Sequence, residues 1–578
     1  MARIPYGISN FAAMRERRLL FVDQTRYLHL LEEQGPDHVL FLRPRRFGKS
    51  LWISILEHYY DLRFADRFAE LFGGLDIGHD PTSLHNRFLV LRLDFSTVDT
   101  SGDDGRLHES LTRSLAWHVR GFLADHQPWL EDGQRLRDAL EGVADPVHAL
   151  RCALEAGRQA GLPLYVLIDE YDSFTNELVA SQQEARYKTL VHGTGLLKTF
   201  FKAIKEATGT GVVARTFTTG INPLLLSDLT SGFNIARNLG AEPEYAELLG
   251  FGLEDVRGLL AQVGEGSTAE AISELGGEAQ VLELMAQWYD GYRFCPGAPA
   301  RFNPDMVLYM LQAVVLGRLP RELVDFNLAS DVGKLDLVVR KAGDLGRLWA
   351  WIEGQDLPGS SVVDRFGVDD LTDPVNFDSL LYYLGFLSYT EDPRPRLRVP
   401  NYVVRTLCWE QLRKLLQRSL GLDHFETVRV ALHALMGDGE GETFFRLVRE
   451  QVLALAVPRD LIHLSEAAIK TACLALLSLS TELMVFSEWA THRGYADLVL
   501  IPAPQSVWLE RAWMIELKYL GKSADTPVAR QQALAEGRAQ IARYCQDEQR
   551  LAYLSRWTLH KAVVLFVGID EVVWEPVA

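Results

Sequence analysis

Two short runs of residues in this 578-residue chain have the types and spacing that phosphate chemistry requires. The first, RPRRFGKS at residues 43–50, follows an apolar run and opens a predicted helix. A loop in this position binds the triphosphate of ATP, because backbone N–H groups and a helix N-terminus favour anions. Lys49 would reach the β- and γ-phosphates, and the Ser50 hydroxyl would ligate Mg²⁺. The candidate nucleotide-binding residues of the loop are Arg46, Phe47, Gly48, Lys49 and Ser50.

This loop has an acidic partner later in the chain. The apolar segment Leu164–Glu170 ends in two carboxylates, Asp169 and Glu170, and such strand ends are where ligands bind in open α/β sheets. Asp169 would hold Mg²⁺ through water, and Glu170 would activate the attacking water. The pattern GxxxxGK[ST] is incomplete, since Arg43 stands where the first glycine belongs. The alternatives are a solvated helix start after a basic turn and a polar strand end at the surface.

Three neighbouring residues are weaker candidates. Thr219 ends the fourth predicted strand, where it could sense the γ-phosphate or belong to a simple strand-end turn. Arg237, in SGFNIARNLG, could act as an arginine finger or be an ordinary surface group. Asp172 is expected to cap the following helix and not to bind the ligand.

The second run combines two carboxylates and a lysine. Asp497 lies in the segment YADLVLIP, and Glu516 and Lys518 lie in WMIELKYL. Glu516 and Lys518 are two residues apart and share one face of a strand, and Asp497 faces them if the segments pair as a hairpin. Such a group binds one or two Mg²⁺ ions and orients a phosphodiester. The alternative is a hairpin with a charged exposed face.

The elements that must position these residues alternate between strands and helices. Strands are predicted at residues 38–44, 87–96, 163–173 and 210–222, with a helix over Lys49–Tyr60. This alternation predicts an open, mainly parallel α/β sheet. The sequence then favours helices from about residue 251 to 422, with a β-hairpin within residues 386–404.

A last unit completes the chain. It is predicted to contain two helices, strands at YADLVLIP, WMIELKYL and KAVVLFVGI, and a helix over residues 529–546. The expected domains are therefore residues 1–250, 251–422 and 423–578.

Composition narrows the class of protein. Hydrophobic residues make up 48% of the chain and charged residues 24%, which excludes a mostly disordered or fibrous protein. Lys and Arg number 59 and Asp and Glu 77, a net charge of −18, so the chain is not a generic polyanion binder.

Five scattered cysteines argue against a disulfide framework or a zinc ribbon. The chain shows no apolar run long enough for a membrane span and no signal peptide, so we expect a cytoplasmic protein without a membrane partner.

Several of these runs together resemble a known family. They are FVDQT, RPRRFGKS, LIDEYDS, TTGINPLLLSDLTSGFNIARNL, LLGFGLEDV, WYDGYRF and YYLGFLSY. They resemble the bacterial AAA-ATPase-like family, which often carries a C-terminal nuclease domain of the PD-(D/E)xK superfamily, and the resemblance covers most of the chain to about Tyr544. It implies a P-loop ATPase sheet of the ASCE type, a helical middle region and a nuclease-like α/β domain. The first loop glycine is commonly missing in that family too, so Arg43 is not by itself a sign of decay.

The resemblance also implies an activity. It is that of an ATP-dependent or ATP-regulated, metal-dependent nuclease acting on DNA, in defence against phage or mobile elements. ATP and Mg²⁺ would be the cofactors, with Mn²⁺ as an alternative at the nuclease site. Glu466 would be a further metal ligand, and Gln540, followed by Tyr544, would face the metal. Arg493 could touch a phosphate, although a solvated turn arginine is the alternative.

Two other functions stay open at this point. The chain could be a nucleotide-sensing switch whose nuclease-like domain binds nucleic acid without cutting it, or a scaffold that uses ATP structurally. Neither the sequence nor the resemblance fixes the oligomeric state, and a monomer, a dimer and a larger homo-oligomer are all compatible with both.

Overall fold

The computed structural model describes most of the chain. The described residues are 3–143, 145–181, 183–192, 195–229, 233–264, 269, 272–273, 277–320, 323–325, 357–358, 361–408, 425–453, 465–477, 480, 482–491, 494–502, 506, 509–547, 551, 554–555 and 557–577. They form a mixed α/β structure with a parallel five-stranded sheet, a helical middle and a C-terminal sheet.

The chain divides into two compact units. The first comprises residues 1–265, 289–312 and 357–400, and the second comprises residues 266–288, 313–356 and 401–578. No helix within the described ranges is long and apolar enough to cross a membrane. All five cysteines are free thiols.

The first unit is built on a parallel sheet. Its strands are β1 (His38–Leu42), β2 (Leu89–Asp94), β3 (Leu164–Asp169), β4 (Val213–Gly220) and the short β5 (Arg237–Asn238). They lie in the order β2-β3-β4-β1-β5, and every paired neighbour runs parallel. The four predicted strands are present; β2, β3 and β4 are shorter than predicted at both ends, and β1 only at its C-terminal end. β4 separates β1 from β3, an arrangement consistent with the ASCE type.

Helices cover both faces of this sheet, which explains why β3 is buried along its whole length. Trp52 and Leu56 of the helix Lys49–Tyr60 belong to one apolar cluster with Phe41, Leu167 and Phe217 of the strands. The helices up to residue 263 are Phe11–Glu16, Tyr27–Glu33, Lys49–Tyr60, Phe68–Phe72, Asp76–His79, Asp104–Asp125, Gly133–Asp138, Pro146–Ala160, Ser173–Ala180, Glu184–Val191, Leu196–Gly209, Leu224–Leu229 and Leu253–Val263.

The middle of the chain is helical, with a small sheet. Its helices are Glu278–Tyr289, Pro304–Val315 and Pro374–Leu384. Three short strands, β6 (Leu357–Pro358), β7 (Ser388–Tyr389) and β8 (Arg396–Arg398), form a sheet in the order β6-β8-β7. The antiparallel pairing of β7 with β8 confirms the predicted hairpin.

The second unit contains a mixed five-stranded sheet. Its strands are β9 (Leu483–Thr491), β10 (Gly494–Pro502), β11 (Arg511–Leu520), β12 (Thr558–Val567) and β13 (Glu571–Val577). They lie in the order β13-β12-β11-β10-β9, with β11 and β12 parallel and the other pairs antiparallel. The sequence analysis predicted β10, β11 and β12 but not the two edge strands. The other helices of this unit are Phe425–His433, Glu442–Leu447, Glu466–Leu477 and Pro527–Tyr544.

The helix Pro527–Tyr544 makes the crossover that the parallel pair β11–β12 requires. It lies very close to the sheet at Gly537, where a Cβ atom would stand 2.6 Å from Cγ1 of Val563. Glycine at this position therefore lets the helix approach β12.

Candidate functional site

The loop after β1 has the backbone of a phosphate-binding turn. Gly48, immediately before the helix Lys49–Tyr60, has φ +92°, and Arg46 has φ +66°, a conformation that non-glycine residues seldom adopt. The Lys49 ammonium donates to the carbonyl oxygens of Arg43, at 3.1 Å, and Pro44, at 3.0 Å. The lysine thus closes the loop across its first residues.

Arg43, in the place of the first glycine, points its side chain away from this loop and into the protein. Its guanidinium donates to the carbonyls of Leu42, Gly240 and Tyr245. It also lies 3.8 Å from the ring centroid of Phe294. Burial lowers the pKa of Arg43 to about 10. The residue that breaks the sequence pattern is therefore an internal brace of the first unit.

Carboxylates gather at the adjacent strand ends. Asp169 is 1% exposed, and the register of β2 and β3 sets Asp94 directly beside it. Burial raises the pKa of Asp169 to about 6, as do the nearby charges of Glu170 and Asp94, while a hydrogen bond with Ser50 lowers it. The Oδ1 atom of Asp169 is buried with no hydrogen-bond partner within the described residues. The loop serine and the strand-end aspartate thus meet, and their roles as magnesium ligands stay predictions.

Asp94 was missed by the sequence analysis. The run RLDFS ends β2 with a single acidic residue, and such a residue gives little signal without the register that sets it beside β3. A basic residue of the same strand, Arg92, places Nη2 4.0 Å from Oδ2 of Asp169.

Glu170 follows Asp169 in a left-handed conformation, with φ +51°. Strained backbone of this kind costs free energy and is concentrated at functional sites. Glu170 lines the same cavity as the loop residues Gly48, Lys49 and Ser50. A polar side chain is therefore held at the edge of the pocket that the loop opens into.

The cavity has a volume of about 460 Å³, and its lining combines charged and apolar residues. Arg45, Arg46, Lys49 and Asp305 are among the charged residues. Apolar residues come from the N-terminal segment, from residues 249–251 and from the helix Pro304–Val315: Ile8, Phe21, Val22, Leu249, Phe251 and Leu308. A lining of both kinds suits a ligand with a charged part and an apolar part.

Three weaker candidates lie outside this lining. The Thr219 hydroxyl donates to the carbonyl of Phe41, at 2.8 Å, and so bridges β4 and β1. The Arg237 side chain is 60% exposed and pairs with Glu242. The roles proposed for both stay predictions. Asp172 stands at the N-cap position, but the expected cap is wrong, since its carboxylate instead accepts from the backbone N–H groups of Ile221 and Asn222.

The second candidate site lies in the hairpin of β10 and β11. The pairing of Leu498 with Ile515 sets Asp497 opposite Glu516, on the same side of the sheet. Beyond that pair, the Asp497 carboxylate itself accepts from the N–H of Leu517, at 2.9 Å. A hydrogen bond from the backbone of β11 to a side chain of β10 thus continues the link between the two strands at the site.

Glu516 is the most buried group of this site. It is 2% exposed, and its Oε1 atom accepts from the Lys518 ammonium at 3.2 Å. Its Oε2 atom is buried without a hydrogen-bond partner within the described part of the chain. Burial and the charge of Asp497 raise the pKa of Glu516 to about 7, against the opposing effect of Lys518. Burial also raises the pKa of Asp497.

Two helices contribute further groups. Glu466 begins the helix Glu466–Leu477 and accepts from the N–H of Tyr519 at 3.2 Å. On the helix Pro527–Tyr544, Tyr544 has its pKa raised to about 12, by burial first and then by the charges of Glu516 and Asp497. A hydrogen bond with Gln540 lowers that pKa. Both helices therefore face the hairpin carboxylates. Arg493 lies outside the described residues.

Comparison with protein families gives two matches. Residues 5–230 match the family described as predicted AAA-ATPase. Residues 464–575 match the PD-(D/E)XK nuclease superfamily. The chain thus carries an AAA-ATPase-like segment followed by a PD-(D/E)XK nuclease-superfamily segment. A curated protein of Azotobacter chroococcum mcd 1, described as an uncharacterized protein in the vnfD 5′ region, is 26% identical over 425 residues, which are 71% of this chain and 70% of that protein.

The AAA-ATPase-like segment has donors that fit a magnesium nucleotide. Ser50 and Asp169 meet beside the loop, and the unpartnered Oδ1 atom of Asp169 is an acceptor for a metal-bound water. Mg²⁺ is commonly held by one or two protein oxygens together with substrate phosphates. These residues therefore match what a triphosphate with its cation requires.

The nuclease-superfamily segment has two carboxylates for a cation. Within the described residues, no three His, Cys, Asp or Glu side chains stand close enough together to form a metal cluster. Asp497 and Glu516 nonetheless face each other, and the unpartnered Oε2 atom of Glu516 is a buried anionic donor. A hard divalent cation with two carboxylate ligands and a shell of water fits this pair.

Proposed function

We propose that the protein is an ATP-regulated, metal-dependent nuclease that acts on DNA. The observation that carries this proposal is the register of β10 and β11, which sets Asp497 opposite Glu516, with Lys518 bonded to Glu516. The matches to an ATPase family and a nuclease superfamily, in that order, support the combination.

At the first pocket the residues divide the work of ATP hydrolysis. The loop N–H groups and Lys49 hold the phosphates, and Lys49 exchanges the carbonyls of Arg43 and Pro44 for phosphate oxygens. Ser50 and Asp169 position Mg²⁺. Glu170 takes a proton from the water that attacks the γ-phosphorus.

At the second site Asp497 and Glu516 would hold the divalent cation, Mg²⁺ or Mn²⁺. Glu466, whose carboxylate accepts from the N–H of Tyr519, stays a predicted further ligand that would have to move toward this pair. When bound, the cation would polarise a phosphodiester and lower the pKa of a water molecule for in-line attack on phosphorus. The bond from phosphorus to the leaving oxygen would break as the new bond forms; the proton that the water loses would pass to solvent, and the leaving oxygen would take one up from solvent. Lys518 stabilises the charge that develops, and Gln540 with Tyr544 closes the side of the site made by the helix Pro527–Tyr544.

The test is incubation of the purified protein with supercoiled, linear and single-stranded DNA, with and without Mg²⁺ and with and without ATP. Cleavage that needs Mg²⁺ and changes with ATP is the expected result. Glu516→Ala and Lys518→Ala should each abolish cleavage and leave ATP turnover intact. Glu170→Gln should instead abolish ATP turnover.

Two results would overturn the proposal. DNA cleavage that is unchanged in both Glu516→Ala and Lys518→Ala would place any nuclease activity elsewhere. A wild-type protein that binds DNA tightly but never cuts it would indicate a nucleotide-sensing switch instead.

A further inference from the structure

A second lysine, Lys470, lies beside the hairpin carboxylates. It belongs to the helix Glu466–Leu477, and its Nζ atom is 3.9 Å from Oδ1 of Asp497. Its side chain is only 13% exposed, so the fold holds it against the site. The sequence around it, SEAAIKTACLALL, does not single it out, because only the fold brings this helix to the hairpin.

The spacing of residues along the helix Glu466–Leu477 places Lys470 on the face that is turned toward the hairpin. Residues four apart share a helix face, so Lys470 stands one turn beyond Glu466 on the same side. The carboxylate of Glu466 accepts from the N–H of Tyr519, which ties the first turn to the end of β11. One turn further, burial raises the pKa of Cys473, and the charge of Asp497 adds to that rise. Three successive turns thus face the hairpin.

The two central carboxylates therefore have a lysine each, from different elements. Lys518 of β11 bonds to Glu516, and Lys470 of the helix lies near Asp497. A cation this close to a carboxylate competes with a divalent ion for it. Once a divalent ion neutralises Asp497, the attraction that holds Lys470 there weakens, and its flexible side chain is long enough to turn toward a phosphate of a bound strand.

We propose that Lys470 is a phosphodiester-binding residue of this site. It pairs with Asp497 when the site lacks a divalent cation and contacts a non-bridging phosphate oxygen when cation and nucleic acid are both present. Lys470 therefore weakens cation binding and strengthens nucleic-acid binding. This inference rests on the nuclease function proposed above and adds a residue to it.

The test uses full-length Lys470→Met with duplex DNA and Ca²⁺, which supports binding without requiring cleavage. The affinity for DNA should fall about tenfold, as expected for one charge-assisted contact. The slope of log affinity against log salt concentration should fall by about 1, the effect of losing one phosphate contact. Without DNA, the affinity for Ca²⁺ should rise about threefold to tenfold. Lys470→Arg should keep the wild-type slope.

Lys522→Met is the matched control, because Lys522 is an exposed lysine of the same unit, 79% exposed and paired with Asp570. It should change neither the slope nor the affinity for Ca²⁺. An unchanged slope in Lys470→Met, or a loss of affinity for Ca²⁺ together with DNA, would overturn the proposal and assign Lys470 a structural role.

Asp497→Asn separates this failure from a failure of the nuclease assignment. If Asp497→Asn reduces binding of Ca²⁺ while Lys470→Met has no effect, only the role of Lys470 is wrong. If Asp497→Asn has no effect on either ligand, the hairpin is not the site, and the proposed function falls with it.

Discussion

At the scale of single residues, the two candidate sites share one feature, a buried carboxylate with one oxygen that has no hydrogen-bond partner among the described residues. Asp169 and Glu516 both have this arrangement, and burial raises the pKa of each. An ionised carboxylate in such a place destabilises the fold. Binding of a cation or a proton removes this cost. Removing the charge of either residue should therefore stabilise the fold and impair the function of its site.

Asp169→Asn should stabilise the protein at neutral pH. The pKa of Asp169 is raised to about 6, so ionisation costs stability above pH 6 and not below the ordinary pKa near 4. A shift of about two units corresponds to about 2–3 kcal/mol. Thermal melts should show Asp169→Asn above the wild type at pH 7.5 and level with it at pH 4, while ATP hydrolysis is lost. A variant that melts lower at pH 7.5 would contradict this reasoning.

Glu516 should make cation binding depend on pH. Its pKa is raised to about 7, so below that pH a proton must leave before a metal ion can bind. Affinity for Mn²⁺ should therefore fall about tenfold for each unit below pH 7 and change little above it. Calorimetric titrations between pH 5.5 and 8 measure this, and Glu516→Gln should weaken binding and shift the remaining pH dependence, which then belongs to Asp497, to lower pH. A flat wild-type profile would show that Glu516 holds no proton at the site.

At the scale of elements, four strands of the first sheet were predicted, because apolar runs that alternate with helical segments are typical of buried parallel strands. That pattern put Asp169 at a strand end, and the fold brings Ser50 to it. Asp94 and Lys470 could not be found in this way, since each becomes a site residue only through strand register or helix docking. The edge strands β9 and β13 were also missed.

Arg43 shows most clearly why a pattern can mislead. Arg43→Gly would restore the full loop pattern, yet it should destabilise the first unit by on the order of 3 kcal/mol. The reason is that the carbonyls of Gly240 and Tyr245 lose a buried donor and the ring of Phe294 loses its cationic partner. Denaturant titration measures the loss. Arg87→Gly, in an exposed loop position, should change stability by less than about 1 kcal/mol.

The Arg43→Gly variant also allows a test of ATP binding. ATP affinity of Arg43→Gly, measured below its unfolding transition, should be no better than that of the wild type, because the Lys49 ammonium already holds the loop closed through the carbonyls of Arg43 and Pro44. Tighter ATP binding with unchanged stability would contradict this reasoning and show that Arg43 weakens ATP binding compared with a glycine at this position.

At the scale of the whole molecule, a net charge of −18 works against any contact with DNA. The second candidate site adds two carboxylates, Asp497 and Glu516, at the point where the proposed function requires a phosphodiester to bind. Long-range repulsion slows encounter, and local repulsion opposes docking until a divalent cation arrives. The cation should therefore be needed for binding itself and not only for cleavage.

We accordingly expect DNA affinity to rise on the order of 10- to 100-fold when EDTA is replaced by Ca²⁺ at low salt. Fluorescence anisotropy with a labelled duplex measures this. The double variant Asp497→Asn/Glu516→Gln removes both the negative charge and the cation ligands, so it should bind DNA more tightly than the wild type in EDTA and gain little from Ca²⁺. Equal wild-type affinity in EDTA and in Ca²⁺ would show that DNA is held by a basic surface elsewhere, and that the carboxylate pair does not control access to the strand.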